Sequence, residues 1–196
     1  MKRLFVISDH HFYHHNIIGY TERPFESIDE MHSVMIQKWN DVISPDDVVL
    51  HNGDFHLAKI SRGKKGPTKE QAEMLDFDRT LQVVSALNGT KWLIKGNHDL
   101  HSNDFYFRCG FTKVKEDGLH LFDEWAFSHR PLFEARYQNQ KAPLQIDKWF
   151  HGHIHNKISA EAKPNFHINV SVEVLDYTPL LISENQDKIT KMDRFF

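Results

Sequence analysis

The sequence predicts an α/β fold built on a parallel sheet, and three observations carry that expectation. The first half alternates strand, helix, strand, helix, strand, which implies a parallel sheet flanked by helices. Each of those strands runs directly into a polar cluster at its carboxyl end, the edge where open α/β sheets bind ligands. The second half is strand-rich, and no linker, repeat or low-complexity tract interrupts it, so the 196 residues read as a single domain, 1–196.

Arg3 to Ser8 is a short apolar strand, β-branched at its centre, and a His-rich polar loop follows from Asp9 to about Asn16. Ile28, Met31, Val34, Met35 and Val42 recur at helical spacing, with Ser27 and Glu30 placed as a capping box. Ser44-Pro45-Asp46 breaks that helix, and Val48-Val49-Leu50 forms a second strand ending in Asn52-Gly53-Asp54. The basic stretch Lys59 to Pro67 reads as a loop. Thr68 and Glu70 open another helix to about Leu87, closed by Asn88-Gly89. Trp92-Leu93-Ile94 is the third strand and delivers Gly96-Asn97-His98-Asp99. Leu119 to Phe122 and Trp125 to Ser128 pair as a hairpin across Asp123-Glu124. Trp149-Phe150 leads into His151 to His155, and Phe166 to Val174 alternates as a strand with Phe166, Ile168, Val170 and Val172 on one side.

Composition is that of an ordinary water-soluble chain, 40% hydrophobic and 26% charged. A net charge of -3 advertises neither a nucleic-acid binder nor a membrane surface. The one cysteine, Cys109, cannot form an internal disulfide and reads as a small buried hydrophobe. Leu4 to Ile7 is too short for a signal-peptide core, and no segment approaches a membrane span. The expected location is therefore cytoplasmic, with no membrane partner.

Histidine is the anomaly: there are 15, beside 27 acidic residues. Imidazole and carboxylate are the usual ligands of first-row metals. Five clusters concentrate them: Asp9-His10-His11, Gly53-Asp54, Gly96-Asn97-His98-Asp99, Ser128-His129 and Gly152-His153-Ile154-His155. In an extended segment alternate residues point the same way, so Asp9 with His11, and His153 with His155, can each face one ion. Asp54 follows a glycine that permits close backbone approach, and suits a bridge between two ions. Asn97 offers a neutral oxygen.

This set suits phosphate-ester hydrolysis. The ester is anionic and repels hydroxide, and acceleration of monoester hydrolysis can approach ~10²¹-fold. Two cations about 3.5–4 Å apart acidify a bridging water and neutralise charge on the phosphoryl oxygens. Two dications with two ligand carboxylates and a hydroxide leave roughly +1, so the site still attracts phosphate.

The ordered set D-x-H, GD, GNHD, a lone H and GHxH resembles the calcineurin-like metallophosphoesterase superfamily, over most of the chain from Asp9 to His155. The resemblance implies a two-sheet α/β/β/α sandwich. It implies that Asp9, His11 and His155 bind one metal, that Asn97, His129 and His153 bind the other, and that Asp54 bridges them. It casts His98 as the catalytic group facing the substrate, with Asp99 orienting and charging it. His11 to Ile18 followed by Arg23-Pro24-Phe25 is similar to a compact bacterial and phage subgroup, with departures at His10, where Thr is more usual, and Tyr13, where Gly is common. Those departures suggest an extra polar group near the metals and a narrower cleft. Phe55-His56 after the GD motif, where the protein-phosphatase branch carries Arg, argues against a Ser/Thr protein phosphatase.

Around that core, His14, Asn16 and Arg23 are candidate substrate-binding residues, Arg being suited to bidentate phosphate contact. Arg130 is expected to point away from the centre. The other histidines, His10 and His56 included, are expected on the surface or in the core. The cofactors implied are two divalent ions, Mn by family analogy, with Fe, Zn, Ni or Co also accepted by such ligands. A small-molecule or nucleotide phosphodiesterase or phosphatase is the leading expectation. A nuclease gripping nucleic acid with Lys59, Arg62, Lys64 and Lys65 is the second. A metal-binding scaffold without turnover is the third, and the presence of His98 counts against it. Substrate identity and oligomeric state are not legible in the sequence.

Overall fold

The computed structural model describes residues 1–57, 66–131, 146–157 and 166–196. The basic run from Lys59 to Lys65 lies outside them. Two sheets form among the described residues. The first has the order β4-β3-β2-β1-β9, with β1 (Leu4–Ile7), β2 (Val48–His51), β3 (Thr90–Ile94) and β4 (Lys113–Lys115) parallel and β9 (Leu180–Ser183) antiparallel to β1. The second has the order β5-β6-β7-β8, where β6 (Trp125–Phe127), β7 (Lys148–His151) and β8 (His167–Asn169) run parallel and β5 (His120–Phe122) closes the expected hairpin with β6.

Alternation along the buried strands sorts their side chains into two cores. Phe5, Ile7, Val49 and Leu93 pack beneath the helices, against Met31, Met35 and Trp39 of α2 (Ile28–Val42), Val83 and Val84 of α3 (Lys69–Ala86), and Tyr106 of α4 (Asn103–Arg108). Leu4, Val6, Leu50, Trp92 and Ile94 point the other way, onto Phe122, Phe127 and Phe150 of the second sheet. Ile189 and Met192 of α5 (Gln186–Phe195) complete that second core. The result is the two-sheet α/β sandwich with outer helices. Cys109 is buried, as expected of a hydrophobe, and burial pushes its thiol up to about 12.

Local chemistry explains the helix starts. The Ser27 hydroxyl accepts from the Glu30 amide, while the Glu30 carboxylate reaches the amide of Glu26. Thr68 and Gln71 form a reciprocal capping box at α3. On α2 the buried stripe is Met31, Met35 and Trp39, while Ile28, Val34 and Val42 are only partly buried. Five elements have no counterpart in the sequence reading: α1 (Ile17–Tyr20), α4, β4, β9 and α5. The last starts at Asn185, whose side chain accepts from the amides of Asp187 and Lys188.

The long strand expected over Phe166 to Val174 is cut short. Only His167–Asn169 pairs with β7; Ser171 then bridges to Ser8 of the first sheet and the chain turns through residues 172–177. Crossing from one sheet to the other requires that turn, and Asp176 and Tyr177 take positive φ within it. Val174 is consequently exposed.

Candidate metal centre

The carboxyl ends of β1, β2, β3, β6 and β7 converge where the two sheets meet. Asn52, at the end of β2, stitches them together: its buried amide donates to the carbonyls of Ser128 (2.8 Å) and Phe150 (3.0 Å) in the second sheet. The loops beyond β1 and β2 also run side by side, with Asp9 N–H donating to Gly53 O and His11 N–H to Asp54 O.

Backbone geometry here departs from the expected extended segments. Asp9 (φ 61°), His11 (φ 52°), His153 (φ 71°) and His155 (φ 51°) are all left-handed, as is Asp54 (φ 54°). The side chains of each pair therefore converge through alternating left-handed turns rather than through a strand. Non-glycine residues rarely adopt this region, at roughly 1–3 kcal/mol each, and such strain gathers at functional sites. Glycine allows the close approach expected of Gly53: a Cβ there would meet the His129 ring at 2.5 Å, and one on Gly96 would meet the Asp54 carboxylate at 2.2 Å.

The polar atoms form three overlapping groups: Asp9, His11 and His155; His11, Asp54 and His98; and Asp54, His129 and His153. His11 Nε2 and His155 Nε2 lie 3.9 and 4.0 Å from Asp9 Oδ1. Asp54 Oδ2 lies 3.2 Å from His129 Nε2, 3.5 Å from His11 Nε2 and 3.9 Å from His98 Nε2. These spacings suit ligand atoms held about 2.1 Å from a shared ion. The Nε2 atoms of His11 and His129 are buried and make no hydrogen bond. Orphaned imidazole nitrogens facing carboxylates are what a metal would satisfy, so the residues fit divalent cations.

The surrounding contacts orient these groups. Asp9 accepts from the hydroxyls of Ser8 (2.5 Å) and Ser171 (3.0 Å) and from the His153 amide. His129 Nδ1 sits 3.0 Å from Asn52 O and His155 Nδ1 3.0 Å from Glu173, contacts that leave each Nε2 toward the centre. Burial opposes charge on His129, yet Asp54 and Asp9 outweigh it and raise its pKa to about 10. His155 is likewise raised against burial by Glu173 and Asp9. Asp54 is held low despite its burial, chiefly by His129. His129 and His155 thus favour positive charge, whereas burial lowers His11 well below the usual imidazole range and raises Asp9.

Several expected roles change in three dimensions. Asp99 makes no hydrogen bond to His98: its carboxylate accepts from the amides of Asp54 (2.7 Å), Gly96 (2.8 Å) and Phe55 (3.1 Å), and so ties the β2 and β3 loops together. Asp99→Ala would orphan three buried donors and should cost about 3–5 kcal/mol of stability. Denaturant unfolding checks this, and a loss below about 1 kcal/mol would remove the role. Arg23 is buried, and its guanidinium donates to Asp9 O, His10 O and Glu173, beneath the first loop. The phosphate contact expected of it is replaced by those internal ones. Asn16 is exposed and lines a shallow surface depression with His15, Tyr20 and Ser27. His14 Nδ1 lies 3.2 Å from His11 Nδ1, and its ring is 5.8 Å from that of His98. Burial, with His98 nearby, lowers His14 to about 4.

His10 faces away from the centre, its Nδ1 2.9 Å from His51 Nε2 and its ring stacked on Phe12. It is a core histidine and adds no polar group at the centre. Arg130 does the reverse. It turns inward, 2.8 Å from His153 Nε2 and 3.1 Å from Asn97 Oδ1. Glu173 was missed altogether; in sequence it is one acidic residue among 27, and only the fold brings it to His155 and Arg23.

The fold and this cluster define an α/β two-sheet protein with a buried Asp/His centre able to hold metal. No family model matches the chain. It is 32% identical over 188 residues to the uncharacterized protein MJ1445 of Methanocaldococcus jannaschii, covering 92% of this chain and 87% of that one. The chain belongs to the family of that archaeal protein. Its fold is also that of AQ665 from Aquifex aeolicus, a protein of unknown function, with TM-score 0.62 and 23% identity over the whole of both chains. A looser alignment joins it to the nuclease MPE of Pseudomonas putida, with TM-score 0.47 and 16% identity over 78% of this chain and 62% of that one. No helix among the described residues is long and apolar enough to cross a membrane.

Proposed function

We propose that this protein is a hydrolase of phosphate esters that uses two divalent cations, Mn by family analogy, and acts on a small-molecule or nucleotide mono- or diester. The observation that carries the reading is Asp54 Oδ2, which lies within 3.5 Å of both His11 Nε2 and His129 Nε2 while both nitrogens lack a hydrogen bond. Asp9, His11 and His155 would hold one cation, Asn97, His129 and His153 the other, with Asp54 between them. When bound, such a pair supplies positive charge for the phosphoryl oxygens and a water acidic enough to attack near neutral pH.

The chain's own groups do the rest. Ser8 and Ser171 fix Asp9, Glu173 fixes His155, and Asp99 fixes the loop carrying Asp54. His98 donates its backbone N–H to Asp54 Oδ1, so its ring is held at the centre while 36% of the side chain stays exposed. An accessible imidazole over buried ligands would meet the substrate and give a proton to the leaving oxygen. The ring supports an enzyme over a scaffold.

The test is hydrolysis of a nitrophenyl monoester and of the matching diester, with Mn²⁺ and with chelator. Metal-dependent release from either is expected, and chelation should stop turnover while leaving the helical signal intact, because the two cores are built from apolar side chains and include none of the ligands. Loss of that signal with chelator would instead mark a structural site. Failure to bind Mn²⁺ at all would sink the proposal.

A further inference from the structure

The chain carries a cation of its own beside the centre. Arg130 follows His129 and leaves the end of β6, where its backbone carbonyl accepts the Ser128 hydroxyl at 2.5 Å. One guanidinium nitrogen lies 2.8 Å from His153 Nε2 and the other 3.1 Å from Asn97 Oδ1. Its Nε is 3.9 Å from Asp117, which lies in the loop after β4. His153 and Asn97 are two of the groups assigned above to the second cation; Asp9, His11 and His155, assigned to the first, make no such contact with it.

We propose that Arg130 is a resident counter-cation that competes with the second metal ion, so that the two ions bind in sequence and with unequal affinity. The inference rests on the two-cation reading above and concerns the regulation of that same centre. A guanidinium donor engaged with an imidazole nitrogen and a carboxamide oxygen blocks the lone pairs through which those groups would coordinate. It also sets a permanent positive charge within a few ångströms of an incoming dication, which repels it. Filling the second position therefore requires Arg130 to give up both contacts. The first position lacks this barrier and fills at lower metal concentration.

The experiment is a titration of metal-free protein with Mn²⁺, reading free ion by electron paramagnetic resonance and heat by calorimetry. Wild type should bind one ion tightly and a second more weakly. Arg130→Met keeps side-chain length without charge, and should tighten the second step by on the order of ten- to a hundredfold, leaving the first within about threefold. Arg130→Lys retains the charge and should stay nearer to wild type. Equal first and second affinities in wild type, or an unchanged second step in Arg130→Met, overturns the inference while leaving the two-cation reading intact. Absence of tight Mn²⁺ binding in wild type and both variants overturns both. Thermal unfolding of each variant separates these outcomes from misfolding.

Discussion

Asp54→Asn should abolish turnover and weaken both metal positions together. The Asp54 side chain serves three neighbours at once: Oδ1 accepts the His98 amide at 2.8 Å, and Oδ2 faces His129 and His11. Asparagine can keep the first contact through its own oxygen, so the loop should hold its shape. What it loses is the charge, and it turns an NH₂ toward nitrogens that need an acceptor or a metal. Asp54 is also the chief group raising His129 against burial, so that imidazole loses the attraction that makes the pocket favour cations. Removing a single preorganised donor from an active site typically costs 10²–10³ in turnover. Loss of a bridging charge should cost at least on the order of 10³. Turnover at saturating Mn²⁺ and the metal content of the purified variant check this. A variant that retained two ions and turned over within tenfold of wild type would remove Asp54 from the bridging position.

His98→Ala should separate binding from turnover. Its ring packs 5.0 Å from that of His11 and its Nε2 lies 3.9 Å from Asp54 Oδ2, but its hydrogen bond to Asp54 is made by the backbone N–H, which alanine keeps. The buried ligands should stay in place and bind Mn²⁺ as before. Turnover should fall by about 10²–10⁴, the range for a lost general acid. The loss should be greatest for substrates with poor leaving groups, which depend most on protonation. Nitrophenolate leaves readily, so comparison with an alkyl ester is the sharper readout. Equal activity of variant and wild type on both would show that His98 has no part in the reaction.

Much of the architecture was legible because it is written in local chemistry. The strands ending at Ser8, His51 and Ile94 announce themselves as short apolar runs, and the Ser27 and Thr68 caps mark helix starts by side-chain-to-amide bonds between near neighbours. Polar clusters after those strands pointed to one sheet edge, where the structure places Asp9, His11, Asp54, Asn97 and His98. Short elements such as β4 and α1 carry too few residues for a periodic signal. The stretch from Phe166 to Val174 has the alternation of a strand, but the crossing at Ser171 decides where pairing stops.

The sequence by itself determined the residue types of the centre, their order along the chain and the alternation that brings their strands into parallel sheets. It could not determine which way a side chain turns once it arrives. Arg23 and Arg130 are alike in sequence, each an arginine before a proline. The fold buries Arg23 under the first loop against Glu173 and turns Arg130 toward His153. Asp99 stands next to His98 in the chain, yet its carboxylate finds three amides, two of them from the neighbouring β2 loop. The deciding partners are distant in sequence, 45 residues for Asp99 with the Asp54 amide and 150 for Arg23 with Glu173. A buried charge takes whichever partners the packed sheets place within reach, and only the tertiary structure decides which those are.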